Sequence, residues 1–141
     1  MMRGRADDLP PLHVLIVEDN DEQREVLVGL LEDLGCRVDA AIDGSDAIRQ
    51  AAKLKPDVVL MDLGMPNMDG WNAIRHIRTA RAENEHPLHV IALSAFSDAR
   101  ARQLAFEAGC NEYVVKPSDV RGALRAFVMR FQHRSLSAQS P

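Results

Sequence analysis

Five polar side chains stand where short aliphatic runs stop. Glu18 and Asp19 follow Val14-Leu15-Ile16-Val17, Asp62 follows Val58-Val59-Leu60-Met61, Ser94 follows Val90-Ile91-Ala92-Leu93, and Lys116 follows Tyr113-Val114-Val115. Carboxylates brought within a few ångströms of one another repel, and each raises the other's pKa. Three of them in one place need a cation. Mg²⁺ is a hard, octahedral ion that takes oxygen ligands and keeps several waters, so an acidic pair on one strand and a single carboxylate on a neighbour suit it. Lys116 beside such a site is compatible with a plain salt bridge and equally with a fixed positive charge for an incoming phosphoryl group. The Ser94 hydroxyl can donate to a phosphoryl oxygen. Taken singly, each has an ordinary reading. Glu18 and Asp19 could cap the helix that follows, Asp62 could be a turn aspartate ahead of Met65-Pro66, and Ser94 could be a small loop residue. Only their convergence makes a reactive centre.

Convergence depends on the elements that carry them. The four runs are apolar throughout, as strands buried on both faces of a parallel sheet are. Arg37-Val38-Asp39-Ala40 alternates instead and reads as an edge strand. Amphipathic stretches separate the strands. Val26, Leu27, Leu30, Leu31 and Leu34 make one helical face, stopped by Gly35. Ala47, Ile48, Ala51 and Ala52 make a second, ended before Pro56. Trp71, Ile74 and Ile77 make a third, with Arg75 and Arg78 turned outward. Leu104, Ala105 and Ala108 belong to a fourth, followed by Gly109. Val120, Leu124, Phe127, Val128 and Phe131 make the last, with Ser118 placed to cap it. Five β-α repeats imply an α/β domain: a doubly wound parallel sheet with helices on both faces and right-handed crossovers. Ligands of such folds bind outside the carboxyl ends of the strands, where the five polar residues fall.

With 141 residues the chain has room for one ordinary domain, expected over 12–131 between flexible tails at 1–11 and 132–141. Its hydrophobic content of 46% supports a packed core, and its net charge of -4 argues against direct nucleic-acid binding. Two cysteines imply no disulfide framework. No apolar run approaches the roughly 20 residues of a membrane span, and Met1 to Pro11 lacks the apolar core of a signal peptide. A cytoplasmic protein that does not engage membranes is expected. The five histidines have no metal-ligand spacing, and no calcium-loop pattern surrounds Asp19 or Asp69.

The segments Val17-Glu18-Asp19-Asn20, Met61-Asp62-Leu63-Gly64-Met65-Pro66-Asn67-Met68-Asp69-Gly70, Leu93-Ser94-Ala95 and Tyr113-Val114-Val115-Lys116-Pro117 resemble the receiver (CheY-like) domain of two-component response regulators, in order and over nearly the whole body. The resemblance implies the flavodoxin-like strand order 2-1-3-4-5. It implies Asp62 as phosphoacceptor and Asp19 as direct Mg²⁺ ligand. Glu18 would act on the ion through water, and the Gly64 carbonyl would be a further ligand. Lys116 is implied as the phosphoryl contact, Ser94 as switch hydroxyl, Tyr113 as switch aromatic, and Pro117 as the proline after a cis bond. The implied donor is a phosphohistidine on a sensor histidine kinase or a histidine phosphotransfer protein. The implied output is altered binding of a downstream protein through the fourth helix, fifth strand and last helix, by a monomer or a weak phosphorylation-dependent dimer. On the residues alone, Tyr113 is also compatible with an ordinary core aromatic, and Arg100, Arg102, Arg121, Arg125, Arg130 and Arg134 with a solvated face. Three positions depart from the common pattern: Ser118 follows the Lys-Pro pair, and Phe96 and Gly64 stand two residues after Ser94 and Asp62. In the family that the chain resembles, the positions of Phe96 and Gly64 bear on phosphoryl lifetime.

Two other functions compete. Haloacid-dehalogenase-type phosphatases share the aspartate nucleophile, Mg²⁺ and lysine, but place a second aspartate where Gly64 stands, so turnover of an external substrate is not expected. A degenerate receiver would be a phosphorylation-independent interaction module, yet here every acidic and lysine position is filled. With no output domain in the sequence, a stand-alone receiver is expected.

Overall fold

The computed structural model describes residues 11–63, 70–81, 87–116 and 120–139, with side chains to Gln132. Its elements run β1 (His13–Val17), α1 (Asp21–Asp33), β2 (Arg37–Ala41), α2 (Gly44–Leu54), β3 (Val58–Asp62), α3 (Gly70–Ala80), β4 (His89–Ser94), α4 (Ala99–Ala108), β5 (Glu112–Val115) and α5 (Val120–Gln139). The sheet is parallel, in the order β2-β1-β3-β4-β5, the flavodoxin-like order expected. The alternating strand β2 lies at one edge.

Alternation along each strand divides the interior in two. Leu15, Val17, Val59, Met61, Val90, Ala92 and Tyr113 face the side covered by α2, α3 and α4. Val14, Ile16, Val58, Leu60, Ile91, Leu93 and Val114 face the side covered by α1 and α5. Burying each of these aliphatic side chains contributes roughly 1.5–3 kcal/mol. That is why β1, β3 and β4 carry polar residues only at their ends.

Helix ends follow local chemistry. Asn20, Asp43 and Asp98 cap α1, α2 and α4, each accepting from the backbone N–H three residues on. Gly35 and Gly109 end α1 and α4 at φ +90° and +117°, a region that glycine enters without penalty. Both cysteines are buried thiols, pushed up to about 11 by burial, and unreactive for that reason.

Four expectations are corrected. Val26 does not join the buried stripe of α1 but is 68% exposed, because the contact with the core is made by Leu27, Leu30 and Leu31 with Val28 and Leu34 partly buried beside them. Ala52 is exposed in the same way, the contact of α2 being made by Ala47 and Ala51 with Ile48 partly buried beside them. Arg78 does not point outward. It is half-buried, donating from Nε to Gly109 O at 2.8 Å, from Nη1 to Leu88 O at 2.6 Å, and from Nη2 to Asn111 Oδ1. The carbonyl at the end of α4 and that before β4 need donors, and a guanidinium can serve several acceptors at once. Finally, α5 continues past the expected end at Phe131 to Gln139, a stretch with no glycine or proline to stop it. The expected N-terminal tail and Ser118 cap lie outside the described residues except at Pro11.

Candidate functional site

The sheet register assembles the site. Val17 pairs with Met61, and Asp62 with Leu93, so Glu18, one residue past β1, sits beside the end of β3. Ser94 pairs with Val115, and Lys116 N–H donates to Ser94 O at 2.8 Å. Asp62 and Ser94 are thus the last residues of their strands, not the first residues of loops. Connections leave β1 and β3 in opposite directions, so the crevice between their ends is a switch point of the sheet.

Asp62, Glu18 and Ser94 are buried, with 4%, 1% and 2% of their surface exposed. Lys116 Nζ lies 3.1 Å from Asp62 Oδ2 and 3.5 Å from Gln23 Oε1. The salt bridge joins a nearly buried carboxylate to a partly exposed ammonium, so it is stronger than a surface pair and orients Asp62. Glu18 Oε2 accepts from Asn20 N–H at 3.1 Å, while Oε1 is buried with no donor. Its contact with Asp62 becomes a hydrogen bond only if one of the two carboxyls carries a proton. Burial first, then that bond and the charge of Asp62, push the Glu18 carboxyl from 4.5 up to about 8, against the pull of the Asn20 N–H and Lys116. Two carboxylates cannot both stay ionised here without added positive charge.

Helix capping does not account for Glu18 and Asp19, because Asn20 does the capping: its side chain accepts from Gln23 N–H at 2.9 Å. Asp19 is exposed, two residues past β1, while Gly64 and Pro117 lie outside the described residues. Among the described residues no three Asp, Glu, His or Cys side chains close into a metal cage. An ion held here would rely on one or two carboxylates, a carbonyl and water, the manner of binding typical of Mg²⁺. The donors are all oxygen, and the orphaned Glu18 Oε1 marks the place where positive charge is lacking. The residues fit that ion.

A second chain of contacts leads away from the acids. Ser94 Oγ accepts from Phe96 N–H at 3.0 Å, and the Tyr113 hydroxyl donates to Phe96 O at 2.7 Å. Tyr113 is buried, and the Arg102 guanidinium lies over its ring, 5.0 Å from the centroid. Phe96 itself is exposed. Beside Lys116 opens a crevice of about 520 Å³ whose lining includes Glu18, Gln23, Val26, Leu93 and Val120. Among the described residues His13 bonds Asp39, His76 bonds the Asn72 carbonyl, and His89 meets Glu112 and the Phe127 ring.

Sequence reasoning placed Glu18, Asp19, Asp62, Ser94 and Lys116 at one edge of the sheet; the structure sets Glu18 and Lys116 against Asp62, ends the neighbouring strand at Ser94 and leaves Asp19 exposed. It missed Gln23, for which the sequence holds no signal. It also missed the position of Arg102 against Tyr113, since an arginine on an amphipathic helix reads as solvated.

Comparison with known proteins agrees with this geometry. Residues 14–127 match the response regulator receiver domain. The chain is 38% identical over 126 residues to the transcriptional regulatory protein CseB of Streptomyces avermitilis, covering 87% of this chain and 52% of the regulator. It is 35% identical to the sensor protein GacS of Pseudomonas syringae pv. syringae, over 97% of this chain and 16% of the sensor. It therefore spans about half the length of the regulator and a small part of the sensor. Among solved structures, the receiver domain of the sensor histidine kinase PA1611 from Pseudomonas aeruginosa superimposes with a TM-score of 0.74 at 35% identity. That match covers 87% of this chain and 98% of that one, and PA1611 carries a magnesium ion coordinated in its active site cleft.

Proposed function

The chain belongs to the response regulator receiver family, and from that premise we propose that Asp62 accepts a phosphoryl group in a Mg²⁺-dependent reaction and thereby changes the binding of a protein partner. The observation that carries this reading is the buried Asp62 carboxylate, 3.1 Å from Lys116 and beside the buried Glu18.

An Asp62 oxygen attacks phosphorus as the bond from phosphorus to its donor breaks. With phosphohistidine the leaving group is imidazole, which takes up a proton; the product is an acylphosphate. Lys116 holds Asp62 in place beforehand and then meets the charge of the phosphoryl oxygens. Stabilisation of that charge is the main catalytic task in phosphoryl transfer. Asp19 and Asp62, the Gly64 carbonyl and, through water, Glu18 would hold Mg²⁺, which when bound neutralises the same charge. Burial of Asp62 and Glu18 strengthens the interactions that these two carboxyls make.

Ser94 turns its hydroxyl to the new group, and the loop through Phe96, tied to both Ser94 Oγ and the Tyr113 hydroxyl, carries the change outward. A phosphoryl group shifts this equilibrium only by its difference in affinity for the two arrangements. The donor is a sensor histidine kinase or histidine phosphotransfer protein, the setting is the cytoplasm, and the downstream partner is a protein that reads α4, β5 and α5. Among the described residues no helix is long and apolar enough to cross a membrane. Turnover of an external substrate and direct DNA binding form no part of the proposal.

Intact mass after incubation with acetyl phosphate and Mg²⁺, for the natural chain and Asp62→Asn, tests it. One added phosphoryl group that requires both Mg²⁺ and Asp62 is expected. No gain in either chain would favour a phosphorylation-independent interaction module, and a gain that survives in Asp62→Asn would mean another nucleophile.

A further inference from the structure

We propose that Arg102 is a positioning residue for the switch: its guanidinium, lying over the Tyr113 ring, holds that ring inward, where the hydroxyl is bonded to Phe96 O. The inference goes beyond the proposed function and rests on it only for the word switch.

Three observations carry it. The Tyr113 ring is 9% exposed, and its hydroxyl donates to Phe96 O at 2.7 Å, so its position is inward and fixed at both ends. Arg102, on α4, is exposed, yet its guanidinium carbon sits 5.0 Å from the ring centroid, within the range of a cation–π contact. Among the described residues Arg102 has no carboxylate partner, in contrast to Arg24, Arg49 and Arg130, each of which has one. The ring face is therefore the anchor of its charge. Ser94, Phe96, Tyr113 and Arg102 then form a continuous series from the strand end beside Asp62 to the surface of α4.

The energetic consequence is a bias. An outward Tyr113 loses the bond to Phe96 O and leaves Arg102 with water alone. At an exposed site, a cation over an aromatic face favours the inward ring by roughly two- to five-fold. That is small against the stability of the domain and large for a switch whose two states lie close in free energy. The contact also explains why a long cationic side chain stands at a position of α4 that faces a tyrosine.

Tyr113 is the single tyrosine of the chain, so selective ring labelling gives one set of resonances. These should be recorded for the natural chain, Arg102→Gln, which keeps the length and removes the charge, and Arg102→Lys, which keeps a cation. The expected result is a two- to five-fold fall in the inward-to-outward ratio in Arg102→Gln, with most of it retained in Arg102→Lys. Ring resonances unchanged in Arg102→Gln, or equally displaced in Arg102→Gln and Arg102→Lys, would overturn the proposal. Ring position is read directly, whatever Tyr113 relays. Failure of the switch reading would show elsewhere, as Tyr113→Ala leaving phosphorylation-dependent partner binding unchanged.

Discussion

Replacing Glu18 by glutamine removes an ionisation while keeping the size and shape of the side chain. In the native chain the carboxyl is buried and titrates at about 8 in place of 4.5, chiefly because burial and the bond to Asp62 favour the protonated form. The folded state thus binds this proton more tightly than the unfolded chain does. Its contribution to stability is complete below about pH 4.5, declines as the pH rises toward 8, and is lost above that. At about 1.4 kcal/mol per decade, the interval corresponds to an upper value of roughly 5 kcal/mol. Movement of Lys116 toward an ionised Glu18 would reduce it to about 3 kcal/mol. Either is a large share of the roughly 5–15 kcal/mol that holds a domain folded. The assay is urea denaturation from pH 5 to pH 9 in the presence of a chelator, for the natural chain and Glu18→Gln. The natural chain should lose about 3–4 kcal/mol more than the variant across that range. Other titrating groups are common to both and cancel in the difference. Parallel stability–pH curves would refute the reasoning, since they would mean that Glu18 ionises in the folded chain as readily as in the unfolded one.

Two further predictions concern single contacts. Lys116→Met leaves the buried Asp62 without its ammonium at 3.1 Å and should cost about 3 kcal/mol of stability at neutral pH in urea denaturation. By loss of charge stabilisation it should also slow phosphorylation by acetyl phosphate about 100-fold or more in quenched mass measurements; normal rates would exclude Lys116 from the reaction. Arg78→Met removes the donor shared by Gly109 O, Leu88 O and Asn111 Oδ1 and should lower stability by about 2–4 kcal/mol, with Arg78→Lys recovering less than half, as thermal and urea denaturation would show.

Much of this protein is written in its sequence because the determining physics is local. The aliphatic runs Val14–Val17 and Val58–Met61 can only be strands buried on both faces, and five β-α repeats leave few topologies open. Strand ends collect at one edge of a parallel sheet, so Glu18, Asp62, Ser94 and Lys116 had to meet once the fold was fixed. Tertiary structure decided what depends on distance between elements far apart in the chain. It left Glu18, beside the end of β3, buried and with Oε1 short of a donor. It drew Arg78 inward, because carbonyls from two other elements lacked donors, and left Val26 outward, because other residues of that helix make the contact with the core. It also laid Arg102 over Tyr113. Periodicity tells which face of a helix is apolar; it does not tell which polar group across the interface remains unsatisfied, and that shortage decides where the long charged side chains go.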